Sequence, residues 1–322
     1  MKAARVHETG GPEKIRFDEV PTPVAGPGQA LVKVAAAGVN FIDTYHRGGL
    51  YKVDLPATLG MEGAGTVESV GAGVADVKPG NRVAWAMARG AYAEYAAVPA
   101  AQLIPLPADV DFKLAAAAML QGMTAHYLTH STFFLKQEHT CLVHAAAGGT
   151  GLLIVQMAKM HGARVVGTVS SEEKARMARE AGADEVILYT IEDFVEETKK
   201  RTGGAGVDVV YDSVGKSVFL KSLECLRPRG LMVNFGNASG PAPAIEPLLL
   251  MQKGSVYLTR PNLQAYTANR GELQWRAGDV LKWIAEGRLK IHVGGEYKLE
   301  DAAQAHRDLE GRGTMGKLIL IP

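Results

Sequence analysis

From about residue 122 to residue 260 the chain alternates short apolar runs with helical patterning, and this rhythm constrains its fold more than any other feature of the 322 residues. The runs are CLVHA from 141, RVVGTV from 164, EVILY from 185, VDVVYD from 207, LMVNFG from 231 and SVYLTR from 255. Between the first two, Leu153, Met157 and Met160 recur at i, i+4 and i+7, which is one face of a helix. A second helix is expected to begin near Ser170 and to end at Gly182 in the C′ position. Strands that alternate with helices pair in parallel through crossovers, with helices on both faces of the sheet. Six such strands predict a doubly wound α/β domain of the dinucleotide-binding (Rossmann) type.

The first third has a different texture. ALVKVAAAG, GTVESVG and the turn-and-strand segment KPGNRVAW are short runs punctuated by Pro27, Gly38, Gly71, Pro79 and Gly80, and GAYAEYAAV at 90 to 98 alternates in period two. A β-rich first domain follows. After Arg260-Pro261 the α/β rhythm stops, and a polar helical stretch leads to a last strand, KLILIP at 317 to 322. This tail is expected to return and complete the first domain, giving a discontinuous domain of residues 1–121 and 263–322 around a nucleotide-binding domain of residues 122–262. A chain of 322 residues accommodates two such cores.

Composition removes several function classes. No apolar segment approaches the roughly 18 uninterrupted residues of a membrane span, and the amino terminus, MKAARVHETG, has no secretory pattern, so a cytoplasmic protein is expected. Cys141 and Cys225 are the only cysteines, which give neither a disulfide framework nor a CxxC clamp. The net charge of +1 lacks the basic footprint of a nucleic-acid binder. The nine histidines are read as lacking HxxxH and HExxH spacing, and so as surface or core residues rather than ligands.

Directly after the first strand of the α/β region comes AAGGTG at 146 to 151, with a helix behind it. Small residues let the backbone approach a pyrophosphate, and a helix amino terminus supplies unpaired N–H groups and partial positive charge. Ala146, Gly148 and Gly151 take the three positions of GxGxxG, with Gly149 and Thr150 between them. About twenty residues on, an acid would grip the ribose 2′-hydroxyl of NAD. The chain has Thr168, Val169, Ser170 and Ser171, then Lys174. Hydroxyls and an ammonium suit a 2′-phosphate, so NADPH is the expected cofactor. Ser170 and Glu173 also read as a capping box, which would fix the turn presenting these donors.

The segments AAAGVNFIDTYHRGGLY at 35 to 51, LGMEGAGTVESVG at 59 to 71, HAAAGGTG at 144 to 151, VYDSVG at 210 to 215, RGLMVNFGNASG at 229 to 240 and LTRP at 258 to 261 carry a family resemblance. The chain resembles the zinc-free quinone oxidoreductases of the medium-chain dehydrogenase/reductase superfamily, the group that includes zeta-crystallin. The resemblance spans essentially the whole length and implies that the β-rich domain is GroES-like and catalytic. Where zinc-dependent relatives keep a cysteine and a histidine ligand, this sequence has Asn40 and Met61. Neither replaces thiolate or imidazole at zinc, so a metal-free site is expected. Glu62 is read as a structural remnant of the zinc pattern.

The resemblance implies a cleft around Asn40, Asp43, Tyr45, Tyr51 and Arg260. In that reading the Asn40 amide serves nicotinamide or acceptor, Asp43 orients donors, the tyrosines supply phenols and walls, and Arg260 stabilises negative charge. It also implies cofactor contacts at Thr124, Tyr189, Ser213, Phe235 and Gly236. The expected activity is hydride transfer from NADPH to a quinone, by a homodimer paired through the Rossmann sheet edge. A quinone already carries conjugated carbonyls, so hydrogen-bond donors suffice where alcohol oxidation needs a Lewis acid. Reduction of an enone or alkenal double bond is the alternative within the same chemistry. A crystallin-like RNA-binding or structural role is the alternative from another class.

Overall fold

A computed structural model describes all residues, Met1–Pro322, and the chain divides into two compact units: Met1–Met123 with Tyr266–Pro322, and Thr124–Ala265. In the first unit β1 (Lys2–Val6), β2 (Ile15–Glu19) and β4 (Ala57–Thr58) make a small antiparallel sheet in the order β2-β1-β4. The long β3 (Gln29–Val39) pairs with β5 (Glu62–Val70), which continues to β6 (Arg82–Ala86) and β8 (Ile104–Pro105), while β7 (Tyr95–Pro99) also pairs with β3. Two register shifts between β3 and β5 bend this sheet around its contents. Helix α1 (Phe41–Gly48) follows β3 directly, and α2 (Phe112–Tyr127) follows the last short strand.

The second unit contains β9 (Thr140–His144), β10 (Arg164–Val169), β11 (Glu185–Leu188), β12 (Val207–Asp212), β13 (Leu226–Asn234) and β14 (Tyr257–Thr259). They form one parallel sheet in the order β11-β10-β9-β12-β13-β14, the doubly wound arrangement the spacing predicts. The connecting helices include α3 (Gly149–Met160), α4 (Glu172–Glu180) and α5 (Phe194–Arg201). Leu142, Val166, Ile187, Val210 and Met232, one from each of the five strands from β9 to β13, meet Phe194 and Phe219 in a single core. Gly182 closes α4 with φ of 110°, a conformation that favours glycine.

The tail returns to the first unit. Its strand β15 (Val293–Lys298) lies parallel to β16 (Lys317–Ile321), which pairs antiparallel with β3. Leu318 and Leu320 thereby share a core with Val6, Val32, Trp85, Tyr92 and Leu103. The two edges of the sequence are joined by packing rather than by chain continuity.

Helix α2 is the element the sequence reading does not anticipate. Its Ala115–Ala118 run is fully buried and the helix is apolar all round, so no amphipathic stripe signals it. Thr124 sits in the last turn of this helix and is buried.

Gly151 marks a close approach of α3 to the turn that precedes it. A Cβ there would stand 2.2 Å from the Ala145 carbonyl oxygen and 3.0 Å from the Ala146 Cα, both backbone atoms that cannot swing aside. Gly151→Ala is therefore expected to push α3 off the sheet and cost about 1–3 kcal/mol. Urea denaturation checks this, and an unchanged midpoint would show that the helix relaxes freely.

Candidate active site

The turn from β9 into α3 builds the nucleotide cradle. Ala145 takes a left-handed φ of 51°, unusual outside glycine, and Gly148 then caps the helix with no side chain. Gly148 N–H donates to the Ala145 carbonyl at 2.8 Å, and its own carbonyl accepts from Leu152 N–H at 2.9 Å. The N–H groups of Gly149, Thr150 and Gly151 open the helix without an intrahelical acceptor. No acid stands in that first turn, and residues 148 to 150 are half-exposed. Such an end attracts a pyrophosphate. Ala146 is buried beneath it, where its methyl would crowd any side chain placed on Gly167.

Beyond β10 the structure revises the expected cap. Ser171, not Ser170, is the N-cap of α4, accepting from Lys174 N–H at 3.4 Å, so the Ser170–Glu173 box does not form. Ser170 is held instead by its carbonyl, which accepts from the Thr190 hydroxyl at 3.3 Å. Tyr189 lies beside this link on the surface, 43% exposed, and Lys174 is partly buried, which lowers its ammonium pKa. A nearby phosphate would oppose that shift. The Thr168 hydroxyl faces inward and bonds His144 Nδ1 at 2.9 Å, so it is not available to a ribose phosphate.

At the opposite side of β9, buried Asp212 shapes the loop after β12. Its Oδ1 accepts from Val214 and Gly215 N–H at 2.7 and 2.9 Å, and its Oδ2 from the Asn234 amide at 2.9 Å. Ser213 and Gly236 are thereby pressed together, and a Cβ on Gly236 would stand 2.3 Å from the Ser213 carbonyl oxygen. Phe235 follows the end of β13, its N–H bonded to the Asp212 carbonyl. With the Asn237 amide oriented to satisfy both partners, its nitrogen donates to Gly236 O at 3.0 Å and its oxygen accepts from Arg260 Nη2 at 3.2 Å. Arg260 therefore belongs to the same rim as Ser213, Phe235 and Gly236. The sequence reading missed Asp212 and Asn234, which hold this rim without facing it.

In the first unit Asn40 caps α1 and receives a reciprocal bond: its N–H donates to Asp43 Oδ2 at 2.9 Å. The amide expected to face cofactor or acceptor is spent in the interior. Its nitrogen donates to Glu62 Oε2 at 2.9 Å and to the Gly38 carbonyl at 3.3 Å, and its oxygen accepts from Lys317 Nζ at 2.6 Å. Asn40 is 3% exposed, so its place is in a buried network that positions α1. Glu62 Oε2 also accepts from Lys317 Nζ at 2.6 Å, and Oε1 from Leu120 N–H at 2.6 Å. Gly38 is required beside them, since a Cβ would stand 2.3 Å from Glu62 Oε2 and 2.4 Å from the Ala116 carbonyl.

Asp43 is likewise internal, and the donors it meets are the Asn40 N–H and the Tyr92 hydroxyl. Tyr92 Oη donates to its Oδ2 at 3.1 Å, and His306 Nε2 lies 3.2 Å from Tyr92 Oη. Arg47 donates to His306 Nδ1 at 3.0 Å and grips Glu310 with both terminal nitrogens. Because the guanidinium only donates, it fixes the proton of neutral His306 on Nε2, which donates to Tyr92. Burial pushes the His306 pKa down to about 3 and the Asp43 carboxyl up to about 7. Asp43 Oδ1 has no hydrogen-bond partner, the natural seat for the extra proton. Tyr45 and Tyr51, by contrast, form an aromatic corner at the end of α1: the rings meet edge-on at 5.3 Å, and Tyr51 N–H donates to the Tyr45 carbonyl.

These donors do not fit zinc. The amide of Asn40 is committed, Met61 is a buried thioether, and the Glu62 carboxylate already holds an ammonium. A dication at Glu62 would confront that resident charge with no thiolate or imidazole to compensate. The two cysteines are buried in the other unit, their thiols pushed up to about 12.

Comparison with known proteins agrees with this geometry. The alcohol dehydrogenase GroES-like domain model matches residues 26–108, and the zinc-binding dehydrogenase model matches 149–278. A quinone oxidoreductase of Pseudomonas aeruginosa is 45% identical over 315 residues, 97% of each chain. A 2-haloacrylate reductase of a Burkholderia species is 43% identical over 330 residues, covering 100% of this chain and 99% of that protein. The crystal structure of Escherichia coli quinone oxidoreductase complexed with NADPH superposes with a TM-score of 0.98 at 44% identity, covering 100% of both chains. A chain with a glycine-cradled Rossmann sheet, a GroES-like unit and a closed amide–carboxylate–ammonium cluster is a member of the medium-chain dehydrogenase/reductase superfamily. Within it, the chain belongs to the quinone oxidoreductase family.

A raised carboxyl pKa has a definite sign in stability. Asp43 binds its proton more tightly folded than unfolded, so its contribution is full below about pH 4 and is lost as pH rises through about 7. Asp43→Asn removes that dependence. The stability of the wild type minus that of the variant should fall by on the order of 2–3 kcal/mol between pH 5 and 7.5. Denaturant titrations at both pH values measure it, and a constant difference would mean an unshifted carboxyl.

Proposed function

We propose that the protein is a zinc-independent NADPH:quinone oxidoreductase. One observation carries the reading: the cradle for a dinucleotide is intact, while the place of a catalytic metal is taken by the Asn40–Glu62–Lys317 cluster. A site with a hydride source and no Lewis acid suits acceptors whose carbonyls are already activated by conjugation. The 45% identical quinone oxidoreductase of Pseudomonas aeruginosa and the NADPH-bound structure of the Escherichia coli enzyme support it.

In this reading Ala146, Gly148, Gly149, Thr150 and Gly151 take the pyrophosphate, and Ser170, Lys174 and Tyr189 take the 2′-phosphate and adenine. Thr124, Ser213, Phe235 and Gly236 flank the remainder of the dinucleotide. When bound, the reduced nicotinamide supplies the hydride. In the first unit the phenols of Tyr45 and Tyr51 serve as hydrogen-bond donors to an acceptor oxygen, and in the second Arg260 serves to offset negative charge. Asn40 and Asp43 act one step removed, by holding α1 and with it the tyrosine corner.

Reduction of an activated carbon–carbon double bond is a second reading, favoured by the 43% identity to a 2-haloacrylate reductase. Steady-state oxidation of NADPH and NADH against ortho-quinones, para-quinones and alkenals separates the two. Quinones should turn over fastest with NADPH. Lys174→Ala should raise KM for NADPH at least about tenfold, the loss of one charge-assisted phosphate contact, with little effect on NADH. Turnover of alkenals alone would overturn the quinone assignment, and an equal loss with both nucleotides would remove Lys174 from the 2′-phosphate.

No helix is long and apolar enough to cross a membrane, and a cytoplasmic site of action is part of this proposal. So is a homodimer. The edge strand β14 presents Tyr257 at 62% exposure with Leu258, and Leu248 and Met251 are exposed in the same unit. An open apolar edge of this kind is normally paired. Light scattering at micromolar concentration should give twice the 34.2 kDa chain mass, and a monomeric mass would refute it.

A further inference from the structure

A cation that the proposed chemistry leaves out stands beside the tyrosine corner of the first unit. Arg89 lies on the loop that leaves β6, and a chain of fixed contacts holds this loop in place. Met87 takes a left-handed φ of 66°, and its N–H donates to the Met61 carbonyl at 2.8 Å. Ala88 is buried, and its carbonyl accepts from Trp85 Nε1 at 3.2 Å. Gly90 is left-handed at a φ of 102°, and Ala91 N–H then donates to the Gly60 carbonyl at 3.2 Å. The loop ends on α1 itself, where Tyr92 Oη donates to Asp43 at 3.1 Å. Backbone on both sides of Arg89 is thus pinned, while its side chain is exposed.

Three residues beyond Asp43, on the same side of α1, comes His46. Its half-buried ring meets Tyr51 edge-on at 6.0 Å, and Tyr51 in turn meets Tyr45 at 5.3 Å. Burial and the neighbouring Arg89 guanidinium both lower the His46 pKa, so the imidazole stays neutral at pH 7 and adds no charge of its own. Arg47 in the same helix is spent on Glu310. Arg89 makes no hydrogen bond and no ion pair. A guanidinium keeps its charge at any working pH, and one with no carboxylate beside it has all its donors available to an anion.

We infer that Arg89 selects among acceptors by charge, favouring conjugated carbonyl compounds that carry a carboxylate or sulfonate. The inference rests on the reading of Tyr45 and Tyr51 as the donors that meet the acceptor oxygen. With that oxygen at the tyrosine corner, an anionic substituent elsewhere on the ring meets the guanidinium across His46. Arg89 takes no part in hydride transfer. Its charge attracts the substituent equally before and during reaction, so it acts on KM rather than on kcat. Because the group is exposed, salt screens the attraction and its effect is several-fold rather than absolute.

Steady-state kinetics with NADPH and two acceptors of one ring system, 1,2-naphthoquinone and 1,2-naphthoquinone-4-sulfonate, tests it. The readout is the ratio of KM for the sulfonate to KM for the neutral quinone, in which general damage to the site cancels. Arg89→Gln should raise this ratio about three- to fivefold and Arg89→Glu further, whereas Lys33→Gln, which removes an exposed charge from β3, leaves it unchanged. Raising ionic strength from about 0.05 to about 0.5 M should raise the ratio for the unmodified protein, which carries the test even where a variant fails to fold. A ratio insensitive to salt, or unmoved by Arg89→Gln while both quinones turn over, overturns the charge selection and leaves the reductase reading standing. Turnover of neither quinone overturns that reading and the inference with it.

Discussion

The buried contact between Glu62 and Lys317 governs the first unit. Carboxylate and ammonium are 0% and 1% exposed and 2.6 Å apart, the first at the start of β5 and the second at the start of β16. Removing two such charges from water costs several kcal/mol each, recovered only where geometry is close and the remaining lone pairs and protons find partners. Here they do: Leu120 N–H and the Asn40 amide complete the carboxylate, and Asn40 Oδ1 and Glu62 together hold the ammonium. Burial lowers the Lys317 pKa, and Glu62 and Asp43 oppose that shift only in part. The pair is costly to form and more costly to break, so it locks the returning tail against the sheet and fixes where α1 begins.

From that anchor a second chain of donors runs through α1. Arg47 sets the tautomer of His306, His306 sets the direction of Tyr92, and Tyr92 ends on Asp43, which closes the box at Asn40. Each link has a single sense because the guanidinium at its origin has no acceptor. The result is a short helix whose exit carries Tyr45 and Tyr51 in a determined place. The second unit uses the same device with fewer charges: His144 joins Thr168 to Ser222, and Asp212 gathers Val214, Gly215 and Asn234. In both units buried polar networks hold the backbone that carries residues proposed to meet ligands.

Some of this was legible in the chain and some was not. The six strand runs, the AAGGTG turn and the returning KLILIP strand announce themselves because periodicity and glycine placement are local signals. Helix α2 lacks such a signal because it is mostly buried and carries no continuous polar stripe. Ser171 displaced Ser170 as the cap because the Ser170 carbonyl is tied to Thr190, twenty residues away in sequence. His126 and His130 do form an HxxxH spacing, which corrects the reading of the histidines as lacking one. Their partner His161 is |i−j| of 31 away and only the fold supplies it.

The sequence by itself determined the class of fold, the seat of a dinucleotide and the loss of thiolate and imidazole at positions 40 and 61. The first two follow from residue type and spacing, which do not change on folding, and the third from the family resemblance. Tertiary structure alone decided that Asn40 and Asp43 face inward, that Lys317 supplies the charge beside Glu62, and that Arg260 lies against Asn237. A polar side chain's role is set by which donors and acceptors surround it, and those arrive from strands and helices up to 277 residues distant.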